Sequence, residues 1–183
     1  MTTMKRQILS TLLLAVICSC AADKNKSAEA EQNQNIEEMV PESEAFEAAD
    51  VEAPDFTLND INGQPLKLSS LRGKYVILDF WGSWCVWCIK GFPKMKEYYQ
   101  KYAGKFEILG IDCNDSEEKW KAAVAKNELP WLHVYNTDNS GVLEQYSIQG
   151  YPTKIIVGPD GKIVQTIIGE DPSFYTLLDK LFQ

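Results

Sequence analysis

From Asp55 to Leu68, apolar and polar residues alternate around Asn62-Gly63, a period of two that predicts a short hairpin. Gly73-Lys74 marks a turn, and Tyr75 to Trp81 then runs unbroken in β-prone residues with one acid, Asp79, inside it. Such a run predicts a central strand buried on both faces. The period changes after it. Between Cys85 and Tyr102, the residues Phe92, Met95, Tyr98, Tyr99 and Tyr102 recur at helical spacing. Phe106 to Asp112 reads as a second buried strand. Ser116-Glu117-Glu118-Lys119 supplies a helix start before Trp120 and Val124, and Leu129-Pro130 stops that helix. Lys154 to Val157 and Ile163 to Ile168 predict two strands joined by a tight turn at Pro159-Asp160-Gly161. Asp171 and Pro172 form a cap and first-turn proline for a last helix with Phe174, Leu177, Leu178 and Leu181 on one stripe. Strand and helix alternate, which predicts an α/β fold with a central mixed sheet flanked by helices and an N-terminal β-hairpin extension.

Length and composition fit one globular domain with some chain to spare: 183 residues, 45% hydrophobic and 24% charged. The net charge of −8 changes meaning once it is divided along the chain. Ala21 to Ala53 carries ten acids against two lysines, whereas Pro54 to Gln183 holds 16 acids and 14 bases. Acidity therefore belongs to the N-terminal part. The predicted domain has no basic excess with which to hold nucleic acid.

Ahead of the domain, Lys5 and Arg6 precede the apolar run Ile8 to Ile17, which is too short to span a bilayer comfortably and reads as an export signal. Its end, Ile17-Cys18-Ser19-Cys20, resembles the lipobox of bacterial lipoproteins, and that resemblance implies lipid attachment at Cys20. The plainer alternative is an ordinary secretory signal with incidental cysteines. Ala21 to Glu52 is rich in Ala, Glu, Gln, Asn and Ser and is too polar to bury a core. The expected organisation is an export signal over residues 1–19, an acidic flexible tether over 20–53 and a folded domain over 54–183, facing the periplasm on a bacterial membrane.

The chemistry concentrates at Trp84-Cys85-Val86-Trp87-Cys88, directly after a strand and at the opening of a helix. A CxxC lets two sulfurs meet across one turn, so a Cys85–Cys88 disulfide is expected. Backbone N–H groups and the helix dipole at that position favour a thiolate, which makes Cys85 the expected nucleophile. Cys88 would resolve the mixed disulfide. Asp79, inside an apolar strand, is costly to ionise and is expected to exchange a proton with Cys88; the alternative is a structural acid paired with a lysine. Trp84 and Trp87 read either as core aromatics or as an apolar lip for a client chain. Tyr151-Pro152 reads as a turn before a strand.

Residues 54–183 resemble the thioredoxin superfamily, in particular its periplasmic TlpA/ResA-like branch. The resemblance is carried by Asp79-Phe80-Trp81-Gly82-Ser83-Trp84-Cys85, by Pro93 in the following helix, by Tyr151-Pro152-Thr153 and by the opening Ala53-Pro54-Asp55-Phe56-Thr57-Leu58. It implies a thioredoxin-like fold and a cis peptide at Pro152, with Tyr151 and Pro152 contacting a client. It also implies disulfide reduction on exported proteins, a membrane partner that exchanges electrons, and no cofactor. Two positions depart from the pattern. Trp87 stands where thioredoxins carry proline, so the potential does not transfer, and Gly91 stands where ResA-like proteins place a glutamate.

Other classes fit less well. His133 is the single histidine, which leaves zinc, copper-delivery and cysteine-peptidase chemistry short of ligands or bases; no metal site is expected, and His133 reads as a satisfied strand-edge residue. Haem attachment would need a histidine where Ile89 stands. A thiol peroxidase expects a hydroxyl residue at the place of Gly82. A redox-inactive binding module with the same fold is the remaining rival. Cys113, outside the CxxC, reads as a small buried hydrophobe, with a third redox thiol as the alternative.

Overall fold

The computed structural model describes residues 50–183. The predicted export signal, Cys20 and the tether as far as residue 49 lie outside the described residues. Strand β1 (Thr57–Asp60) turns back into β2 (Pro65–Lys67), and Asp60 builds the turn by accepting from the Asn62 and Gln64 amides at 2.8 Å each. Gly63 sits at φ 77°, where a side chain would be strained. A 3-10 turn (Leu68–Leu71) leads into β3 (Tyr75–Trp81) and helix α1 (Val86–Lys101). The chain continues through β4 (Phe106–Asp112), α2 (Glu117–Lys126), β5 (Leu132–Tyr135), α3 (Val142–Gln145), β6 (Thr153–Val157), β7 (Ile163–Ile168) and α4 (Pro172–Phe182).

The seven strands form one mixed sheet in the order β2-β1-β5-β4-β3-β6-β7. β3, β4 and β5 run parallel, with β1 antiparallel to β5, β6 antiparallel to β3 and β7 antiparallel to β6. The predicted elements are all present, and the predicted caps are made. Ser116 accepts from the Lys119 amide, and Asp171 from Ser173. Pairing begins slightly ahead of Pro54: Glu52 bridges Lys162, and the buried Ala53 donates to the Gly161 carbonyl at 2.9 Å.

Alternation along β3 divides the interior. Ile77 and Trp81 face a core shared with Cys85, Cys88 and Phe92 of the α1 region, Trp120 of α2 and Phe174 of α4. Val76, Leu78 and Phe80 face the other core, with Leu58, Val142 and Tyr146. Asp79 is in phase with Ile77 and Trp81 and so points to the helix face that carries the dithiol. One reading is corrected here. β5 lies between β1 and β4, so His133 is not at a sheet edge. Its ring is buried against Trp81 and Trp131, both nitrogens lack a hydrogen-bond partner among the described residues, and burial lowers its pKa to about 4 against an upward pull from the Leu129 backbone.

Candidate active site

The strand β3 ends at Trp81, and Gly82-Ser83-Trp84 carries the chain to the first turn of α1. The path of this bend is held from the neighbouring β4 end: Asp115 accepts from the Ser83 amide and hydroxyl at 2.6 Å each, and the Cys113 carbonyl accepts from the Trp84 indole at 2.9 Å. Gly82 is obligatory in this arrangement. A Cβ there would lie 2.5 Å from Trp84 Nε1 and 2.7 Å from the Cys113 carbonyl oxygen.

Cys85 is the N-cap of α1, and its sulfur accepts from the Cys88 amide at 3.2 Å. The two cysteines are joined in a disulfide across that first turn. An N-terminal amide aimed at Cys85 Sγ is the local feature that stabilises sulfur anion character after reduction. Both sulfurs belong to the core cluster, with Cys85 at 4% exposure and Cys88 at 2%. Pro93 sits within the helix, whose buried side includes Phe92 in edge contact with Trp81 at 5.2 Å.

The aromatic pair around the dithiol is exposed rather than packed inward: Trp84 at 48% and Trp87 at 61%, flanked by Val86 and Ile89. Trp84 meets the Tyr151 ring edge-on at 5.1 Å, and the Lys90 ammonium lies 4.5 Å from the Trp87 ring centre. The Tyr151-Pro152 peptide is cis. Gly169 donates to the Pro152 carbonyl at 2.7 Å. Thr153 is held by its hydroxyl on the Gly150 carbonyl, also at 2.7 Å. Trp84, Trp87 and Tyr151 thus form an apolar rim beside the CxxC.

Asp79 is fully buried and neither carboxylate oxygen has a hydrogen-bond partner among the described residues. Burial pushes its pKa up to about 6, the Lys154 ammonium pulls against that rise and the Glu170 carboxylate adds to it. The lysine anticipated as a structural partner does exist, directly across the β3-β6 ladder at Lys154, but its ammonium binds Glu170 at 2.9 Å. Sequence reading did not find this pair. Lys154 lies in an otherwise apolar strand, which was the available signal; Glu170, in a turn 16 residues on, gave none.

A second unpredicted acid is Asp112, at the end of β4 in register with Trp81. Burial, reinforced by the nearby Asp115 carboxylate, pushes it up to about 8. Cys113 beside it is fully buried, its thiol directed at the Ile111 carbonyl, and burial drives its pKa well above the usual thiol range. It has the surroundings of an inert core residue.

The family model matching this chain is described as the AhpC/TSA family and spans residues 49–166. The thiol-disulfide oxidoreductase ResA of Bacillus cereus is 38% identical over 120 residues, covering 65% of this chain and 69% of the relative. ResA of Bacillus subtilis is 34% identical over 119 residues, or 64% of this chain and 66% of the relative. The thioredoxin domain of a thiol-disulfide oxidoreductase from Bacteroides vulgatus superposes with a TM-score of 0.68 at 34% identity, covering 74% of this chain and 99% of that one.

Proposed function

The chain belongs to the AhpC/TSA family and is a thiol–disulfide oxidoreductase of the ResA type, and from that premise we propose that it reduces disulfides in exported proteins through Cys85 and Cys88. The observation that carries this reading is the Cys88 amide donating to Cys85 Sγ at the start of α1, beside an exposed aromatic rim. In the reduced protein, the Cys85 thiolate attacks one sulfur of the client disulfide. A Cys85–client disulfide forms, and the displaced client sulfur leaves as a thiolate that takes up a proton. Cys88 then gives up its proton, with Asp79 as the acceptor on that face, and attacks Cys85 Sγ. The second client thiol is released and the Cys85–Cys88 disulfide remains. Two electrons pass to the client, and a membrane dithiol donor must return them.

Trp84, Trp87, Tyr151 and Pro152 serve as the client-binding rim in this reading. Tyr151 makes no backbone hydrogen bond among the described residues, which leaves its main chain able to pair with an extended client. A thiol-peroxidase reading lacks the hydroxyl that it needs, because Gly82 cannot carry a side chain past Trp84. The N-terminal part fits delivery to the cell envelope: the apolar run Ile8 to Ile17 is followed closely by Cys20, the proposed lipid attachment point, and the acidic segment would hold the domain off the membrane. No described helix is long and apolar enough to cross a membrane.

Reduction of insulin disulfides by the dithiothreitol-charged protein tests the central claim. Parent activity with loss in Cys85→Ser is expected; equal activity of the two proteins would overturn it. Fatty-acid labelling that persists in Cys20→Ala would remove the anchor from the proposal.

A further inference from the structure

Behind the dithiol, two acids compete for one buried cation. Lys154 is 1% exposed and stands opposite Asp79 in the β3-β6 register, so their side chains share the face that α1 covers. The ammonium nevertheless lies on Glu170 Oε2 at 2.9 Å, while Tyr175 donates its hydroxyl to the other oxygen at 2.8 Å. The Glu170 carboxylate is seated against α1 at Gly91. A Cβ on Gly91 would stand 2.4 Å from Oε2 and 2.6 Å from the carboxyl carbon, so glycine at this helix position is what admits the acid. Helix interiors disfavour glycine, and the close approach supplies its reason here.

We propose that Glu170 is a positioning residue of the exchange reaction: by binding the Lys154 ammonium against Gly91, it keeps that cation from forming an ion pair with Asp79. Asp79 is left without a partner among the described residues in an apolar setting, able to hold a proton on the dithiol face and to accept one from Cys88. The groups facing it are Lys154 from β6, Glu170 from the turn before α4, Tyr175 from α4 and the dithiol from α1, while Cys113 at the β4 end lies in the core on the other face of the sheet. His133 lies farther along the same row, filling the space over Gly110. Lys154 is the single cation among them, since burial holds His133 neutral at ordinary pH. Which acid it pairs with therefore decides the charge of Asp79.

The consequence for catalysis rests on the reductase reading, but the arrangement itself is testable without activity. The measurement is the titration midpoint of the Asp79 carboxyl, followed by carbon-13 NMR or infrared difference spectroscopy in the oxidised full chain. Glu170→Gln frees the ammonium to turn to Asp79, and the midpoint should fall by about one pH unit or more. Lys154→Met should raise it, and the double variant should return towards the parent. The acidic limb of the pH profile for insulin reduction should move with the midpoint. An unchanged midpoint in Glu170→Gln or in Lys154→Met, with near-ultraviolet circular dichroism matching the parent, overturns the proposal. If one variant fails to fold, the other decides. Insulin reduction by the parent and Cys85→Ser judges the functional reading separately, so either idea can fall alone.

Discussion

Trp84 Nε1 donates to the Cys113 carbonyl across 2.9 Å, and this bond ties the exposed rim of the dithiol to the buried end of β4. It is possible only because Gly82 leaves the space through which the indole passes. Gly82→Ala should therefore displace Trp84 and cost about 1–3 kcal/mol, the usual range for forcing extra volume into a packed site. Trp84→Phe keeps a ring against Tyr151 but loses the donor, and should cost closer to about 1 kcal/mol. Urea unfolding of the oxidised forms would order the two variants. A smaller loss for Gly82→Ala than for Trp84→Phe contradicts the packing argument.

The two cysteines should separate cleanly in a trapping experiment. With Cys88→Ser, Cys85 can still attack a client disulfide, but nothing resolves the product, so a mixed disulfide should accumulate on non-reducing gels. Cys85→Ser should trap little, because Cys88 has 2% exposure and lacks the N-terminal amide contact made by Cys85. Stronger trapping by Cys85→Ser would reverse the assignment of nucleophile and resolving thiol.

Asp79 should make the folded protein sensitive to pH in a direction opposite to that of a paired carboxylate. Its pKa rises from 3.8 in the open chain to about 6 in the fold, so the folded state binds the proton more tightly. Stability is then greatest with Asp79 protonated, and falls as pH rises through the interval between those values. A shift of this size corresponds to about 3 kcal/mol at most, since each pKa unit is about 1.4 kcal/mol. Asp79→Asn, neutral at every pH, should raise the melting temperature of the oxidised protein at pH 7 and lose that advantage near pH 4. An advantage that grows on acidification would contradict the assignment. Such a variant would also slow resolution of the mixed disulfide, since it has no carboxylate to accept the Cys88 proton.

The legible part of the chain was whatever repeats along it. Period-two alternation located the β1-β2 hairpin, unbroken β-prone runs located β3 and β4, helical spacing located α1 and α4, and the strand-CxxC-helix order placed the dithiol at a helix N-terminus. Asp79 stood out because an acid interrupts an apolar run. His133 was misplaced because periodicity says nothing about strand order; only the antiparallel arrival of β1 beside β5 puts that histidine inside the sheet. The Lys154–Glu170 pair was hidden for a related reason. Its members belong to different elements, and the clue to their meeting is the missing side chain of Gly91 on a third. From sequence that glycine was a departure from a pattern, whereas in the fold it is the seat of a carboxylate.

Trp87 offers the sharpest separation of client binding from folding. At 61% exposure, with its ring beneath the Lys90 ammonium, it contributes little to the core, so Trp87→Ala should change unfolding free energy by no more than about 0.5 kcal/mol. A client strand lying along the rim would instead lose an aromatic surface. Aromatic contacts of this kind are worth about 0.5–1.5 kcal/mol, or roughly a twofold to tenfold drop in kcat/KM. A small disulfide that reaches Cys85 without covering the rim should be reduced at an almost unchanged rate. The comparison between insulin and oxidised glutathione therefore discriminates between the two roles. Equal losses on both substrates would mean that Trp87 acts on the thiol chemistry itself, through the segment between the cysteines, and that the rim is not where clients bind.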